Sequence, residues 1–320
     1  MTVKIGFVGT GGIANHHMRT LSEIPTAAMV AFCDVVEEKA VTAATTYGGK
    51  AYTCYEEMYD SEALDAVYIC LPPFAHDRQE LAAIERDLPI FVEKPVATTM
   101  AKAREIESAL AAKNLISGVG YHWRYMDTTE KAIALIGDQP VGFALGAWMG
   151  GMPGVSWWRV MAESGGQMVE QTTHIFDLAR YLLGDVAEVH AMGRTGLMED
   201  VENYDVHDAS VTNLRFKSGA VASITSACML SAGHHVGLEL FLKDQALRIV
   251  GQHLTIETPN GTEVVELGNN PTRAEDQTFL QAVQSGDASA IRCDYAEAVK
   301  SLELTIAATQ SAQEGRLIAL

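Results

Sequence analysis

Glu170 and His174 stand four residues apart in the run Ser164-Gly165-Gly166-Gln167-Met168-Val169-Glu170-Gln171-Thr172-Thr173-His174-Ile175-Phe176-Asp177. Four residues is about one helical turn, so on a helix the two side chains share a face. A carboxylate beside an imidazole fixes its tautomer and raises its basicity, which suits His174 to accept a proton. Asp177, three residues on, could continue that face. The same pair could also be a surface ion pair, or two ligands of a metal whose third ligand is not evident. Lys94 lies in Glu93-Lys94-Pro95, directly after the apolar run Ile90–Val92. Ligands of open α/β sheets bind beyond the carboxyl ends of the strands, so a lysine there points into a ligand crevice. A surface lysine at a strand end is the alternative. A second loop, Leu71-Pro72-Pro73-Phe74-Ala75-His76, follows another apolar run. Its two prolines end the strand and lay the loop across the same crevice, and His76 either caps the next helix or touches the ligand.

The ligand is suggested by the start of the chain, Val3-Lys4-Ile5-Gly6-Phe7-Val8-Gly9-Thr10-Gly11-Gly12-Ile13-Ala14. A short apolar strand enters a glycine turn and a helix begins. This is the dinucleotide-binding pattern Gly-x-Gly-x-x-Ala. Gly9 permits the tight turn, Gly11 lets backbone N–H groups approach a pyrophosphate, and Ala14 keeps the helix close to its strand. The helix N-terminus faces the phosphates with unpaired N–H groups and a positive dipole end. The next strand, Ala28–Cys33, ends in Asp34, twenty residues beyond Ala14, where a ribose-binding carboxylate is expected. Asp34 favours NAD over NADP, and its neighbours Val35 and Val36 offer no arginine to a 2′-phosphate. The expected cofactor-binding residues are Gly9, Gly11, Gly12, Ile13, Asp34, Leu71, Pro72, His76, Glu93 and Lys94.

The elements that must position these groups fall into two patterns. As far as residue 120, apolar strands (Ile5–Val8, Ala28–Cys33, Ala66–Leu71, Ile90–Val92, Ile116–Gly120) alternate with helices, including Glu37–Thr46 and Met100–Lys113. That alternation means a parallel sheet covered on both faces, a Rossmann α/β domain over 1–120. Beyond it, after a helix at 128–137, strand-like runs crowd together at 143–149, 186–194, 206–216, 219–229, 236–242, 246–250, 253–257 and 263–267. Hairpin signals at Lys217-Ser218-Gly219, Lys243-Asp244 and Pro259-Asn260-Gly261 join several of them. The expectation is an α+β domain over 121–320, with a large, mostly antiparallel sheet. Helices at 167–183, 273–285 and 295–313 should cover one face, leaving the other solvated or at an interface.

Bulk composition excludes several classes. The net charge is −18, which repels nucleic acid and anionic membranes. No apolar run is long enough to span a bilayer, and no secretory leader precedes the glycine turn. The five cysteines lack metal-ligand spacing and are odd in number, which fits a reducing cytoplasm. His16-His17 and His234-His235 read as surface or interface residues, because adjacent side chains do not converge on one point. No metal is expected.

Taken together, the glycine motif, the Pro-Pro-x-x-His loop, Glu93-Lys94-Pro95, Gly120-Tyr121-His122-Trp123-Arg124 and the Gly165–Asp177 segment resemble the glucose–fructose oxidoreductase, inositol dehydrogenase and MocA (Gfo/Idh/MocA) family over essentially the whole chain. The resemblance implies a catalytic group of Lys94, Glu170 and His174. It also implies a sugar, sugar derivative or cyclitol as substrate. The family pattern Gly-Gly-Gly-x-x-x-Asp-x-Gly-x-His is altered here by Ser164, Glu170 and Thr172, and His122 replaces a frequent Asn. Substrate contacts are expected from Lys94, His122, Arg124, Trp157, Trp158 and His174, with Arg159 nearby. Flat indole rings suit the C–H faces of a sugar, while Trp123 and Trp148 read as packing residues. A homodimer or homotetramer joined through the antiparallel sheets is expected. An NAD-dependent glycoside hydrolase and a non-enzymatic NAD-binding regulator are the alternatives on this fold.

Overall fold

Four aromatic residues in register build the first half of the molecule. The computed structural model describes residues 2–320. Phe32, Phe7, Tyr68 and Phe91 sit side by side on adjacent parallel strands, with Phe7 paired to Phe32 and Tyr68, and Tyr68 to Phe91. Their rings stack at centroid distances of 6.0, 5.1 and 4.7 Å. The strands are β1 (Val3–Val8), β2 (Ala27–Cys33), β3 (Lys50–Tyr52), β4 (Ala66–Ile69), β5 (Ile90–Val92) and β6 (Ser117–Val119). Their spatial order is 3-2-1-4-5-6 and every pairing is parallel, the doubly wound arrangement that binds dinucleotides. Helices α1 (Gly12–Ser22), α2 (Glu37–Tyr47), α3 (Tyr55–Ser61), α4 (Gln79–Glu85) and α5 (Met100–Lys113) connect them.

The rest of the chain comprises α6 (Asp127–Ile136), β7 (Phe143–Met149), α7 (Met161–Ser164), α8 (Gln167–Glu170), α9 (Thr173–Leu183), β8 (Val186–Arg194), β9 (Ala209–Phe216), β10 (Val221–Ala227), β11 (His235–Phe241), β12 (Ala246–Val250), β13 (His253–Thr258), β14 (Gly261–Val265), α10 (Pro271–Ser285), α11 (Tyr295–Glu314) and β15 (Ile318–Ala319). A nine-stranded sheet runs 14-13-12-11-7-10-9-8-15. Only the pairing of β10 with β7 is parallel. Alternate residues point inward, as in β9, where Ser210, Thr212, Leu214 and Phe216 are buried. The inner face packs on α9, α6 and the second part of α11. The sheet and α9 approach closely at Gly146 of β7, where a Cβ would lie 2.7 Å from Ile175 of α9. The outer face exposes Phe143, Leu145, Met192, Val211 and Val221.

The chain divides into two compact units: residues up to His122 with Pro271–Val299, and Trp123–Asn270 with Lys300–Leu320. This differs from a single break after residue 120. The helix expected at 273–285 does not cover the antiparallel sheet; as α10 it belongs to the first unit. Its Phe279 meets Tyr68 and Phe91 edge-on at 5.6 Å each, and its Asp276 binds His17 of α1. An amphipathic pattern specifies which face of a helix is apolar but not which sheet receives it. The helix expected at 167–183 is broken. Gln171 and Thr172 both donate their backbone N–H to Gln167 O, and a new helix starts from Thr172 O, which accepts from Ile175 and Phe176. Among the described residues, no helix is long and apolar enough to cross a membrane.

Candidate active site

In the first unit, β1 delivers the chain to Gly9 at φ +85°, where a Cβ would lie 2.4 Å from Cys70 O. That position requires glycine. Leu71 lies alongside, its Cδ2 3.1 Å from the same point. Thr10 donates both its backbone N–H (2.9 Å) and its hydroxyl (3.0 Å) to Asp34 Oδ2, and Val36 N–H donates to Asp34 Oδ1 at 2.9 Å. Three donors therefore pin the carboxylate beside the glycine turn. Asn15 secures the turn from α1, donating to Thr10 O and Gly11 O. Gly11 caps α1 without a side chain, and a Cβ at Gly11 or Gly12 would meet nothing within 4 Å. Free space over a helix N-terminus, flanked by an exposed Ile13 and a fixed acid, fits a dinucleotide: pyrophosphate at Gly11–Ile13 and ribose hydroxyls at Asp34.

Leu71 and Pro72 are half-buried. His76 is buried, and its Nδ1 bonds the carboxylate of Glu80 in α4, so the histidine braces that helix. Its buried Nε2 has no partner among the described residues.

Lys94 follows β5 at the carboxyl edge of the same sheet. Glu93 does not point to the cofactor space. It is 4 % exposed and turned inward, with Oε1 accepting from His17 Nε2 (2.9 Å) and Oε2 from Lys94 N–H (3.1 Å). A Cβ at position 120 would lie 2.3 Å from Glu93 Oε1, so Gly120 makes room for the buried carboxylate. His17 is likewise no surface residue. It is fully buried, bonded at Nδ1 to Asp276 Oδ1 (2.9 Å), and packed against Tyr68 and Phe91. It occupies the buried stripe Ala14, His17, Met18, Leu21 of α1, a 3.6-residue signal present in the sequence. Burial opposes its charge, but Asp276 and Glu93 outweigh that and hold its pKa well above the ordinary histidine value. Burial, reinforced by Asp276 and Glu93, raises the neighbouring Glu275, which favours its neutral acid form. His17, Glu93 and Glu275 bring ligand atoms within 4.8 Å of one another, but an imidazolium already satisfies both carboxylates that His17 meets. Burial pushes His122 down to about 4, so it is neutral at physiological pH.

In the second unit, Glu170 ends α8 and His174 lies in the first turn of α9, so the two do not share one continuous helix. Glu170 Oε2 accepts from the Trp158 indole N–H at 2.6 Å. His174 is buried, and its ring stacks on Trp148 with centroids 5.7 Å apart. Trp148, read from sequence as a packing residue, thus contacts the candidate base directly. The turn before α8 carries Gly165 and Gly166 at φ +75° and +85°, with Ser164 Oγ accepting from Gly166 N–H at 2.9 Å.

Two expected substrate contacts are held inside the protein instead. Trp158 is fully buried with Val206 and Cys228 and serves to hold Glu170. Arg124 is 2 % exposed and grips Asp177 through Nε (2.8 Å) and Nη2 (2.7 Å), over the Tyr181 ring at 4.8 Å. Ser301 donates to the same carboxylate at 2.6 Å. Asp177 is thus a buried structural ion-pair partner. Trp157 is half-buried and packs on the Trp158, Val206 and Cys228 cluster, and Arg159 donates to Glu202 O at 3.3 Å.

Residues 3–121 match the oxidoreductase family described by an NAD-binding Rossmann fold, and residues 143–257 match the GFO/IDH/MocA C-terminal domain. The chain is 26% identical to a myo-inositol 2-dehydrogenase of Thermotoga maritima, covering 99% of this chain and 98% of that one. It is also 26% identical to an NAD(+)-dependent scyllo-inositol 2-dehydrogenase of Bacillus subtilis, covering 99% and 96%. Among solved structures, levoglucosan dehydrogenase with NADH and levoglucosan superposes with a TM-score of 0.91 at 19% identity, covering 100% and 99% of the two chains, which speaks to the fold. The chain belongs to the GFO/IDH/MocA family of NAD-binding oxidoreductases.

Proposed function

We propose that the protein is an NAD-dependent dehydrogenase that oxidises a secondary alcohol of a sugar, sugar derivative or cyclitol, or runs the reverse reduction. One observation carries the reading. Lys94 leaves β5 at the carboxyl edge of the sheet whose β1 turn is shaped for a dinucleotide. The strand order places β5 two strands from β1, roughly 10 Å away. NAD, when bound, supplies the hydride acceptor at nicotinamide C4. The chain's own groups handle the proton and the charge. His174 accepts the hydroxyl proton as the carbon gives up its hydride and becomes a carbonyl. Lys94 stabilises developing alkoxide charge on the substrate. Glu170, held by Trp158, supports the base, and Trp148 fixes the plane of its ring. His122, as a neutral imidazole, and Trp157 remain candidate substrate contacts. The inositol activities named for the relatives support a polyol substrate.

The five cysteines are all free thiols, which supports a cytoplasmic setting. The exposed apolar residues of the nine-stranded sheet support self-association of that face into a dimer or tetramer; light scattering showing a monomer at micromolar concentration contradicts it.

The test is a screen at 340 nm with NAD and with NADP across inositols, anhydrosugars and aldoses. NADH formation with at least one polyol is expected. Lys94→Ala should keep the fold and NAD binding and lower kcat/KM by about 10²-fold or more. Absence of NADH across the panel, with NAD bound, refutes the dehydrogenase reading.

A further inference from the structure

The buried polar cluster of the first unit lies outside the chemistry described so far, yet it touches the Lys94 turn. His17 comes from the helix that begins at the glycine turn, Glu93 from the end of β5, Glu275 and Asp276 from α10, and Tyr68 from β4. The bonds form a continuous path. Tyr68 OH donates to Asp276 Oδ1 (3.2 Å), His17 bridges Asp276 and Glu93 (2.9 Å each), and Glu93 accepts the backbone N–H of Lys94 (3.1 Å). The exposures of His17, Glu93, Glu275 and Asp276 are 0, 4, 2 and 0 %. Buried charge is costly unless paired, so this path is maintained against a large desolvation penalty. Elsewhere in this core the sequence uses aromatic rings, and His17 itself packs on Tyr68 and Phe91.

We propose that His17 is a positioning residue for Lys94: its imidazolium, clamped by Asp276, fixes the Glu93 carboxylate that in turn holds the Lys94 backbone, so that the dinucleotide helix and the Lys94 turn move as one piece. The inference rests on the dehydrogenase reading for what Lys94 does, but the link itself is independent of it. The groups facing His17 are His16 on its own helix, Glu93 and His122 at the ends of β5 and β6, Tyr68 of β4, and Glu275 and Asp276 of α10. Two of the carboxylates bond the ring directly, and they raise its pKa against the opposing effect of burial.

A double-mutant cycle tests the proposal. His17→Gln keeps a donor toward one carboxylate only. It should lower kcat about 10- to 100-fold, since a small displacement of a charge-stabilising group costs that much, while KM for NAD changes less. In the Lys94→Ala background the same substitution should cost less than about 2-fold, because the group it positions is gone. An equal loss in both backgrounds, or none in either, overturns the proposal. A second readout needs no turnover. Reductively ¹³C-methylated lysines are observed by NMR, with the Lys94 signal assigned by its loss in Lys94→Ala. That signal should shift in His17→Gln and in Glu93→Gln, and an unmoved signal in a folded variant overturns the link. Should His17→Gln not fold, Glu93→Gln carries both arms, since it leaves the His17–Asp276 bond intact. If the wild-type protein oxidises no polyol while the Lys94 signal shifts, the function reading fails and the positioning stands.

Discussion

Arg124→Met separates a structural arginine from a substrate-binding one. The guanidinium and the Asp177 carboxylate are 2 % and 1 % exposed, joined by bonds of 2.8 and 2.7 Å. Removing the arginine leaves Asp177 buried with Ser301 as its remaining neutral donor at 2.6 Å. Breaking one side of such a pair costs about 3–5 kcal/mol, because the abandoned charge must either stay unpaired or take up a proton. With a urea slope of about 2 kcal/mol/M, the midpoint of the second unit's transition should fall by roughly 1.5–2.5 M. Far-UV circular dichroism follows the unfolding, and hydrogen exchange of the α9 amides reports the same loss locally. Replacing both partners, in Arg124→Met/Asp177→Leu, removes the orphaned charge and should recover more than half of the loss. KM for the polyol should be unchanged in whichever variant remains folded. Wild-type unfolding in Arg124→Met together with a tenfold rise in KM would refute this reasoning and place Arg124 at the substrate.

Asp34→Ser should narrow the preference for NAD over NADP measured by titration calorimetry; a wild-type protein that binds NADPH more tightly overturns the assignment of Asp34. Alcohol oxidation should rise with pH through an apparent pKa of roughly 6.5 to 8.5, and His174→Ala should flatten that limb, Lys94 sharing in the apparent value. A wild-type pH profile in that variant sends the search for the base to Tyr121 and His122. His122 has a folded pKa of about 4, below its unfolded value, so the unfolded chain binds the extra proton between those two values. Stability should therefore decline as pH falls from about 6.5 to 4, less steeply in His122→Asn, and identical slopes would deny the shift.

The parallel half is legible because β2, β4 and β5 are uninterrupted apolar runs, and β5 and α5 fall where the pattern places them. The short elements β3 and α3 escaped notice, having three and seven residues and little periodicity. The break between α8 and α9 carries no glycine or proline; it is made by both Gln171 and Thr172 donating to one carbonyl, which no composition marks. The spacing of Glu170 and His174 marks both residues but implies one continuous helix, whereas they stand on α8 and α9. Trp158 and Arg124 are residue types that suit substrate chemistry, yet burial commits them to Glu170 and Asp177. The pairing of His16 with His17 pointed to the surface, although His17 lies on the apolar stripe of α1; its partners, 76 and 259 residues away, are brought to it only by the fold.

The stacking of His174 on Trp148 gives the proposed base an optical reporter. All four tryptophans lie between residues 123 and 158, within the second unit, so indole emission arises there alone. An imidazolium quenches an indole it stacks on, whereas a neutral imidazole does so weakly. The steady-state emission of the resting protein therefore carries the protonation state of His174, readable before any substrate is known and absent once Trp148 is replaced by Phe.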